Sequence, residues 1–271
     1  MFSFIFLLFL ICFNFISFNL FIIPFSSVLH IQILMGILFF VVSVILAWVY
    51  VLFLLFSVMW ITRNLKVDHP FRQKIIMSIS KLIVRFFRIK IIVHNKELIP
   101  LQDKLVIYSN HKTNFDPFII SSIFPRTLAF TPKEELYHGK IGWMLSYFFE
   151  LINCIQIQRD NDRKTVQNIL KGIDNIKEKL AVVIFHEGGI KQKKSDKILN
   201  SLDGSFNIAL KSEANILPVT LKGACAMRGK CWFRKKKIEV FFHLALPFET
   251  FKEKKTKEIN TKVTSIINSV L

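Results

Sequence analysis

A histidine and an aspartate stand five positions apart near the middle of the chain, where residues 110–117 read Asn-His-Lys-Thr-Asn-Phe-Asp-Pro. Within one helix, this separation would turn His111 and Asp116 about 140° apart, so their side chains would not meet. We therefore place His111 in a turn and Asp116 at the N-cap of a helix, with Pro117 as its first helical residue. The carboxylate can then fix the imidazole tautomer and stabilise the imidazolium, as a general base requires. The alternative is an aspartate that only caps its helix beside a surface histidine.

The segments around this pair alternate between strand and helix patterns. Strands are predicted near 90–94, 104–109, 127–131, 154–158, 181–185, 215–221 and 238–245, and helices near 116–124, 140–150, 162–179, 205–212 and 251–269. This alternation is typical of an α/β domain with a mostly parallel mixed sheet flanked by helices. The strand pattern at 181–185 ends in His-Glu-Gly-Gly, and α/β folds usually build sites at the carboxyl ends of strands. A plain turn is the alternative there.

The first 62 residues contain no Lys, Arg, Asp or Glu. Residues 1–23 and 31–61 each exceed the roughly 20 apolar residues that a helix needs to cross a bilayer. They predict a membrane hairpin of two helices over residues 1–62, with embedding in one leaflet as the alternative. Because basic residues follow from Arg63 onward, the positive-inside rule predicts an inner-membrane protein with its main domain on the cytoplasmic face.

The next segment, residues 63–89, mixes apolar residues at helical spacing with Lys and Arg. This pattern predicts an amphipathic helix on the membrane surface or a linker, and an ordinary core-facing helix is the alternative. Residues 90–271 then form the α/β domain.

The chain has 37 Lys and Arg against 19 Asp and Glu, a net charge of +18. Such an excess favours anionic partners such as lipid headgroups, phosphorylated substrates, acidic carrier proteins or nucleic acid. A biased genome composition is the alternative reason for the many lysines. The four cysteines have neither metal-binding nor disulfide spacing, and His186-Glu187 is not a zinc helix motif because Ile190 replaces the second histidine.

Four short blocks follow one another along residues 90–225. They are Asn110-His111-x4-Asp116, Ile157-Gln158-Arg159-Asp160, Phe185-His186-Glu187-Gly188-Gly189 and Ile216-Leu217-Pro218-Val219. In order and spacing they resemble the blocks of the glycerolipid acyltransferases, most closely the bacterial 1-acylglycerol-3-phosphate acyltransferases. The resemblance implies the α/β fold of that family.

The resemblance also implies residue roles. It gives catalysis to His111 and Asp116 and binding of the acceptor to Arg159 and to the third block. That block usually reads Phe-Pro-Glu-Gly-Thr-Arg, so this chain lacks its arginine, and Lys191, Lys193 or Lys194 can supply the cation instead. The predicted substrate-binding residues are Asn110, Arg159, Glu187, Gly188, Gly189 and Lys191.

The activity that the resemblance implies is acyl transfer from acyl-CoA or acyl carrier protein to the sn-2 hydroxyl of lysophosphatidate. No cofactor or metal is expected, and anionic membrane lipids are expected partners. One alternative is another acceptor, either glycerol 3-phosphate or a different lyso-lipid. A second is a membrane-tethered basic module that binds nucleic acid, motivated by the charge and by residues 232–235, although no recognised binding motif supports it. A third is an inactive membrane anchor protein.

Overall fold

The computed structural model describes residues 2–19, 29–61, 63–66, 69–140, 142–156, 162–177, 180–190, 194–227 and 234–271. The chain divides into two compact units, residues 1–65 and residues 66–271. The division lies three positions beyond the predicted end of the membrane segment, and the second unit includes residues 66–89 of the segment predicted as an interfacial helix or linker.

The first unit contains two apolar helices, α1 over Phe2–Ser17 and α2 over Leu29–Ile61. They contact each other: the Asn14 amide donates to the Ser43 hydroxyl over 2.8 Å, and the rings of Phe6 and Trp48 lie 5.5 Å apart. Residues Leu29–Val58 are long and apolar enough to cross a membrane, whereas α1 is shorter. Among the described residues, α2 is thus long and apolar enough to cross a membrane, and the crossing of both helices stays a prediction.

The second unit is built on one six-stranded sheet. Its strands are β1 (Ile89–His94), β2 (Leu105–Ser109), β3 (Leu128–Phe130), β4 (Ala181–Ile184), β5 (Asn215–Lys222) and β6 (Lys236–Phe242). They lie in the order β1-β6-β5-β2-β4-β3, and all neighbours are parallel except β5 and β6. This confirms the predicted mostly parallel mixed sheet.

Helices flank the sheet, as predicted. They are α3 (Pro70–Phe86), α4 (Asp116–Ile123), α5 (Glu135–His138), α6 (Gly142–Leu151), α7 (Asp162–Lys177), α8 (Asn207–Ser212) and α9 (Thr256–Asn268). Short 3-10 turns occupy Lys96–Leu98, Asp203–Phe206, Cys225–Met227 and Phe248–Thr250. In α3, the side chains of Ile75, Ile79 and Leu82 are buried, and the helix packs against α4. The apolar face of α3 is therefore core-facing, and its contact with a membrane stays a prediction.

The central strands are apolar along their whole length because both of their faces are covered. Every residue of β2 and β4 is buried. Val106 lies in register with Val182 on one side and Ile216 on the other, and all three have no exposed surface. This register brings the carboxyl ends of β2, β4 and β5 to the same edge of the sheet. We call this edge the carboxyl edge.

One predicted strand, residues 154–158, is wrong over its described part. Residues 154–156 are not in a strand. Asn153 adopts a left-handed conformation with φ of 52°, and Ile155 donates one hydrogen bond to the Phe130 carbonyl at the end of β3. This hydrogen bond joins the segment to the margin of the sheet. Residues 157 and 158 lie outside the described residues.

Candidate active site

The loop between β2 and α4 carries the histidine and aspartate. His111 Nδ1 lies 2.9 Å from Asp116 Oδ2. The predicted contact is therefore present, and the loop is the bend that the sequence requires. The catalytic roles of the two residues stay a prediction.

The N-cap role predicted for Asp116 is wrong, because Asp116 is itself the first residue of α4 and Phe115 precedes it as the cap. The carboxylate turns back to the loop. Its Oδ2 also accepts the backbone N–H groups of Lys112 and Thr113, over 2.7 and 2.9 Å, and its Oδ1 accepts the Thr113 hydroxyl over 2.7 Å. These bonds fix the side chain, so the carboxylate faces His111 before any substrate binds.

The imidazole of His111 is held on its face as well as at its edge. Its ring stacks on Phe185, with the centroids 4.2 Å apart and the planes 18° from parallel. With Nδ1 given to Asp116, Nε2 has no hydrogen-bond partner among the residues that the structure describes. The side chain is 16% exposed, so a hydroxyl from outside has access to this ring. An Nδ1–H donated to the carboxylate leaves the Nε2 lone pair to take a proton.

Glu187 fastens the histidine loop to the end of β4. Its Oε1 accepts the His111 backbone N–H over 2.7 Å, and its Oε2 pairs with the ammonium of Lys112. Lys112 has no exposed surface and also donates to the Lys197 carbonyl over 3.0 Å. Burial raises the pKa of Glu187, while Lys112 and the His111 N–H act in the opposite direction. These contacts give Glu187 a positioning role, and its predicted contact with substrate stays a prediction.

Gly188 and Gly189 form the turn that follows. Their φ values are 69° and 124°, in the region that side chains with a Cβ rarely adopt. The Gly188 N–H donates to the Phe185 carbonyl over 3.2 Å and closes the turn. The glycines let the chain reverse directly beside His111, so their predicted place in the site is consistent with the backbone. Their binding of substrate stays a prediction.

Asn110 joins the ends of β2 and β5. Its amide donates to the Leu221 carbonyl over 2.9 Å and to the Asp196 carbonyl over 3.1 Å, and its Oδ1 accepts the Leu221 N–H over 2.8 Å. The residue has no exposed surface. These contacts give Asn110 a positioning role at the carboxyl edge, and direct binding of substrate stays a prediction.

Two predicted binding residues, Arg159 and Lys191, lie outside the described residues. The third-block residue His186 is described and is 1% exposed. Its Nε2 lies 3.2 Å from the Thr264 hydroxyl of α9, and its Nδ1 has no hydrogen-bond partner among the described residues. Burial, with a smaller effect of the Lys112 charge, lowers the pKa of His186 to about 4. The ring is therefore neutral at physiological pH.

The sequence analysis assigned no role to three residues that shape this site: Lys112, Thr113 and Phe185. A lysine beside a strand end usually reads as a solvated charge, and only the fold buries Lys112 against Glu187. Thr113 carries a weak local signal, because a hydroxyl three residues before a buried aspartate can donate to it. Phe185 reads as the end of an apolar strand.

Comparison with known proteins adds family information. Residues 90–222 match the sequence model of the Acyltransferase family. The chain is 28% identical over 174 residues to a probable 1-acyl-sn-glycerol-3-phosphate acyltransferase of Mycoplasma pneumoniae, a match covering 62% of this chain and 63% of the relative. It is 26% identical over 124 residues to the 1-acyl-sn-glycerol-3-phosphate acyltransferase of Saccharomyces cerevisiae, covering 45% of this chain and 40% of the relative. The chain thus spans less than two thirds of the length of these curated relatives.

The fold is also similar to a solved structure, that of the 1-acyl-sn-glycerophosphate (LPA) acyltransferase PlsC from Thermotoga maritima. The TM-score is 0.58 at 20% sequence identity, and the match covers 80% of this chain and 93% of that one. At this identity the likeness establishes a common fold.

Proposed function

We propose that this chain, whose residues 90–222 match the sequence model of the Acyltransferase family, is an O-acyltransferase of phospholipid synthesis. It transfers an acyl group from an acyl thioester, either acyl-CoA or acyl carrier protein, to the sn-2 hydroxyl of lysophosphatidate. The product is phosphatidate. The relatives' names support this acceptor.

The reaction needs one base and no covalent enzyme intermediate. Nε2 of His111 takes the proton of the acceptor hydroxyl while the oxygen attacks the thioester carbonyl carbon. The C–O bond forms, the C–S bond breaks, and the imidazolium returns the proton to the leaving thiolate. Asp116 stabilises the imidazolium during this cycle. No cofactor or metal takes part in the proposed step.

The observation that carries the proposal is the 2.9 Å contact between His111 Nδ1 and the buried Asp116 carboxylate. Three donors of the loop, the Lys112 N–H, the Thr113 N–H and the Thr113 hydroxyl, hold the Asp116 carboxylate in place. The carboxylate then keeps the His111 ring in the tautomer with the proton on Nδ1 and a lone pair on Nε2. This order is present without substrate, and pre-organisation of a base reduces the reorganisation that the reaction requires.

The setting that we propose is the inner membrane, with the second unit on the cytoplasmic face. An apolar helix over Leu29–Val58 supports membrane attachment. Attachment keeps the base close to the lipid layer where the amphiphilic acceptor is concentrated. Phosphate binding by Arg159 and Lys191 belongs to the proposal, as does contact with anionic membrane lipids.

The test is phosphatidate synthesis by membranes that contain the full chain, supplied with lysophosphatidate and a labelled acyl thioester. We expect His111→Ala to lower the rate by about 10²–10⁴-fold, the range of general-base catalysis. His138→Ala, on an exposed histidine of α5, is the matched control and should leave the rate unchanged. Undiminished synthesis by His111→Ala membranes would exclude the proposed base.

The same assay separates the alternative acceptors. Glycerol 3-phosphate and lyso-lipids with other headgroups are supplied in place of lysophosphatidate. Faster transfer to one of them, lost in the same variant, would keep the mechanism and replace the acceptor. A comparison of acyl-CoA with acyl carrier protein identifies the donor.

A further inference from the structure

A group of cations lies at the carboxyl edge beside the candidate active site. We call it the basic face, and its members are Arg88, Lys90, Arg234, Lys235 and Lys237, all exposed. Arg88 and Lys90 stand at the start of β1, and the other three at the start of β6. Lys90 and Lys237 are direct neighbours in the register of the two parallel strands.

The topology places the basic face on the same edge as His111. β6 runs antiparallel to β5, and Glu239 near its start pairs with Lys222 at the end of β5. The starts of β6 and of its parallel neighbour β1 therefore lie at the carboxyl edge. A ring contact joins the two regions, because the ring centroid of Phe87, two residues before β1, lies 4.7 Å from that of Phe115 in the histidine loop.

The backbone below the basic face is fixed by a buried lysine. Lys236 donates its ammonium to the Phe87 carbonyl over 3.2 Å and its N–H to the Arg88 carbonyl over 3.1 Å. Arg88 itself has φ of 53°, a left-handed conformation that is uncommon for a residue with a Cβ. The turn that presents the cations is therefore held in one conformation by contacts inside the protein.

Two of the lysines of the basic face have no acidic partner among the described residues, and a third shares its partner. Glu239 accepts Lys237 over 2.9 Å and is shared with His94 at 3.1 Å. Lys90 and Lys235 form no ion pair among the described residues. Lys90 stands beside Lys237 in the strand register, and like charges on neighbouring strands repel each other. An anion outside the protein would reduce this repulsion.

We infer that the basic face binds the anionic headgroups of a lipid surface and so presents the histidine loop to the membrane. The exposed cations lie on two adjacent strands and on the turns before them, so several positive charges are close enough together to bind several anionic headgroups. Each cation close to an anionic leaflet strengthens binding by about fivefold. The role of this binding, which is to give the active site access to an acceptor in the membrane, rests on the proposed function.

The test measures lysine acylation by mass spectrometry on the full chain in nanodiscs. One set contains phosphatidylcholine alone, and the other contains equal parts of phosphatidylcholine and phosphatidylglycerol. We expect about fivefold slower labelling of Lys90 and Lys235 in the anionic nanodiscs. About 1 M salt, which shortens the screening length to about 3 Å, should remove the protection.

Lys254 and Lys257 are the internal control. They are exposed and lie near the start of α9, at the opposite edge, where the Phe248 N–H donates to the first residue of β5, Asn215. Their labelling should be equal in both nanodiscs. Equal labelling of Lys90 and Lys235 in both lipids would overturn the inference, as would protection that appears only on addition of acyl carrier protein or nucleic acid.

Variants give a second measurement. We expect phosphatidylglycerol to raise the rate of acyl transfer in a salt-sensitive way. Lys90→Glu with Lys235→Glu should abolish this rise, whereas Lys254→Glu with Lys257→Glu should keep it. We expect the chain to fold with glutamate at position 90, because this residue would lie beside Lys237 in the strand register and carry the opposite charge. The His111→Ala chain should show the same lysine protection as the unmodified chain, because labelling does not depend on catalysis. The lipid-binding inference can therefore be tested even if the proposed acyl transfer is not observed. A rise that survives in the Lys90→Glu and Lys235→Glu chain would overturn the inference.

Discussion

At the scale of single residues, the His111 imidazole is fixed before substrate arrives. Asp116 holds Nδ1, Phe185 lies against the ring face, and Glu187 accepts the backbone N–H. The last of these contacts depends on a charge pair, because Glu187 is buried against the fully buried Lys112. Breaking a buried pair leaves an uncompensated charge, which costs far more than loss of an exposed pair.

Glu187→Gln should therefore lower the free energy of unfolding by about 3–5 kcal/mol. Denaturant titration of the detergent-solubilised chain measures this loss. Addition of Lys112→Met should recover part of the stability, since the lone ammonium is then removed. The control is Lys104→Met, which breaks an exposed pair with Glu213 and should cost about 0–1 kcal/mol. A double variant whose loss equals the sum of the two single losses would contradict the buried pair.

His186 gives a pH dependence of stability. Its pKa in the folded chain is lowered to about 4 from 6.5, because burial disfavours the charged ring. As pH falls from 6.5 towards 4, the unfolded chain binds a proton at this residue that the folded chain does not, so stability falls. The free energy of unfolding is therefore about 3 kcal/mol higher above pH 6.5 than at about pH 4 because of this one residue.

We expect His186→Phe to reduce the acid sensitivity between those two pH values. The measurement is the midpoint of denaturant unfolding at several pH values for the variant and the unmodified chain. His138→Phe, on the exposed histidine of α5, should keep the full sensitivity. Parallel pH curves for His186→Phe and the unmodified chain would show that His186 does not bear this dependence.

At the scale of elements, the site depends on the ends of β2, β4 and β5 lying together. Register supplies most of this alignment, and Asn110, which follows β2, forms two hydrogen bonds with Leu221 of β5. The sequence predicts these strands because each is a short apolar run. Residues 154–156 are mispredicted as a strand, because the apolar side chains of Cys154 and Ile155 are buried at the margin of the sheet although the segment forms no strand there.

Asn110→Ala should leave buried backbone groups without partners at the junction of β2 and β5. Each unsatisfied group costs about 1–3 kcal/mol, so we expect a loss of stability of that size or greater, together with slower acyl transfer. Thermal unfolding and the phosphatidate assay measure the two effects. The control is Asn207→Ala, which removes one exposed bond to the Gly204 carbonyl. Equal losses of stability and activity in the two variants would contradict a role for Asn110 in joining β2 to β5.

At the scale of the whole molecule, a long apolar helix accompanies an α/β unit whose basic residues outnumber its acidic ones. The side chains of Leu38 and Ile45 in α2 are exposed. Such a surface is unfavourable in water and suits a bilayer. We therefore expect the full chain to remain with membranes after alkaline carbonate washing.

Leu38→Lys together with Ile45→Lys should weaken that retention. A lysine near the centre of a spanning helix costs about 2.5–3.5 kcal/mol. The fraction of chain in the membrane pellet measures the effect. Leu199→Lys, on an exposed leucine of the second unit, should not change it. Full retention of the double variant would contradict a span by α2.

The sequence by itself determined the alternation of elements, the apolar start of the chain and the histidine and aspartate on either side of one bend. These are local properties, since strand and helix patterns and turn residues depend on near neighbours in the chain. The tertiary structure decided the partners of the site: it buried Lys112 against Glu187, turned the Asp116 carboxylate back to the loop, and placed the start of β6 beside the end of β5. Those contacts join residues from separate segments of the chain, and only packing of the sheet brings them within bonding distance.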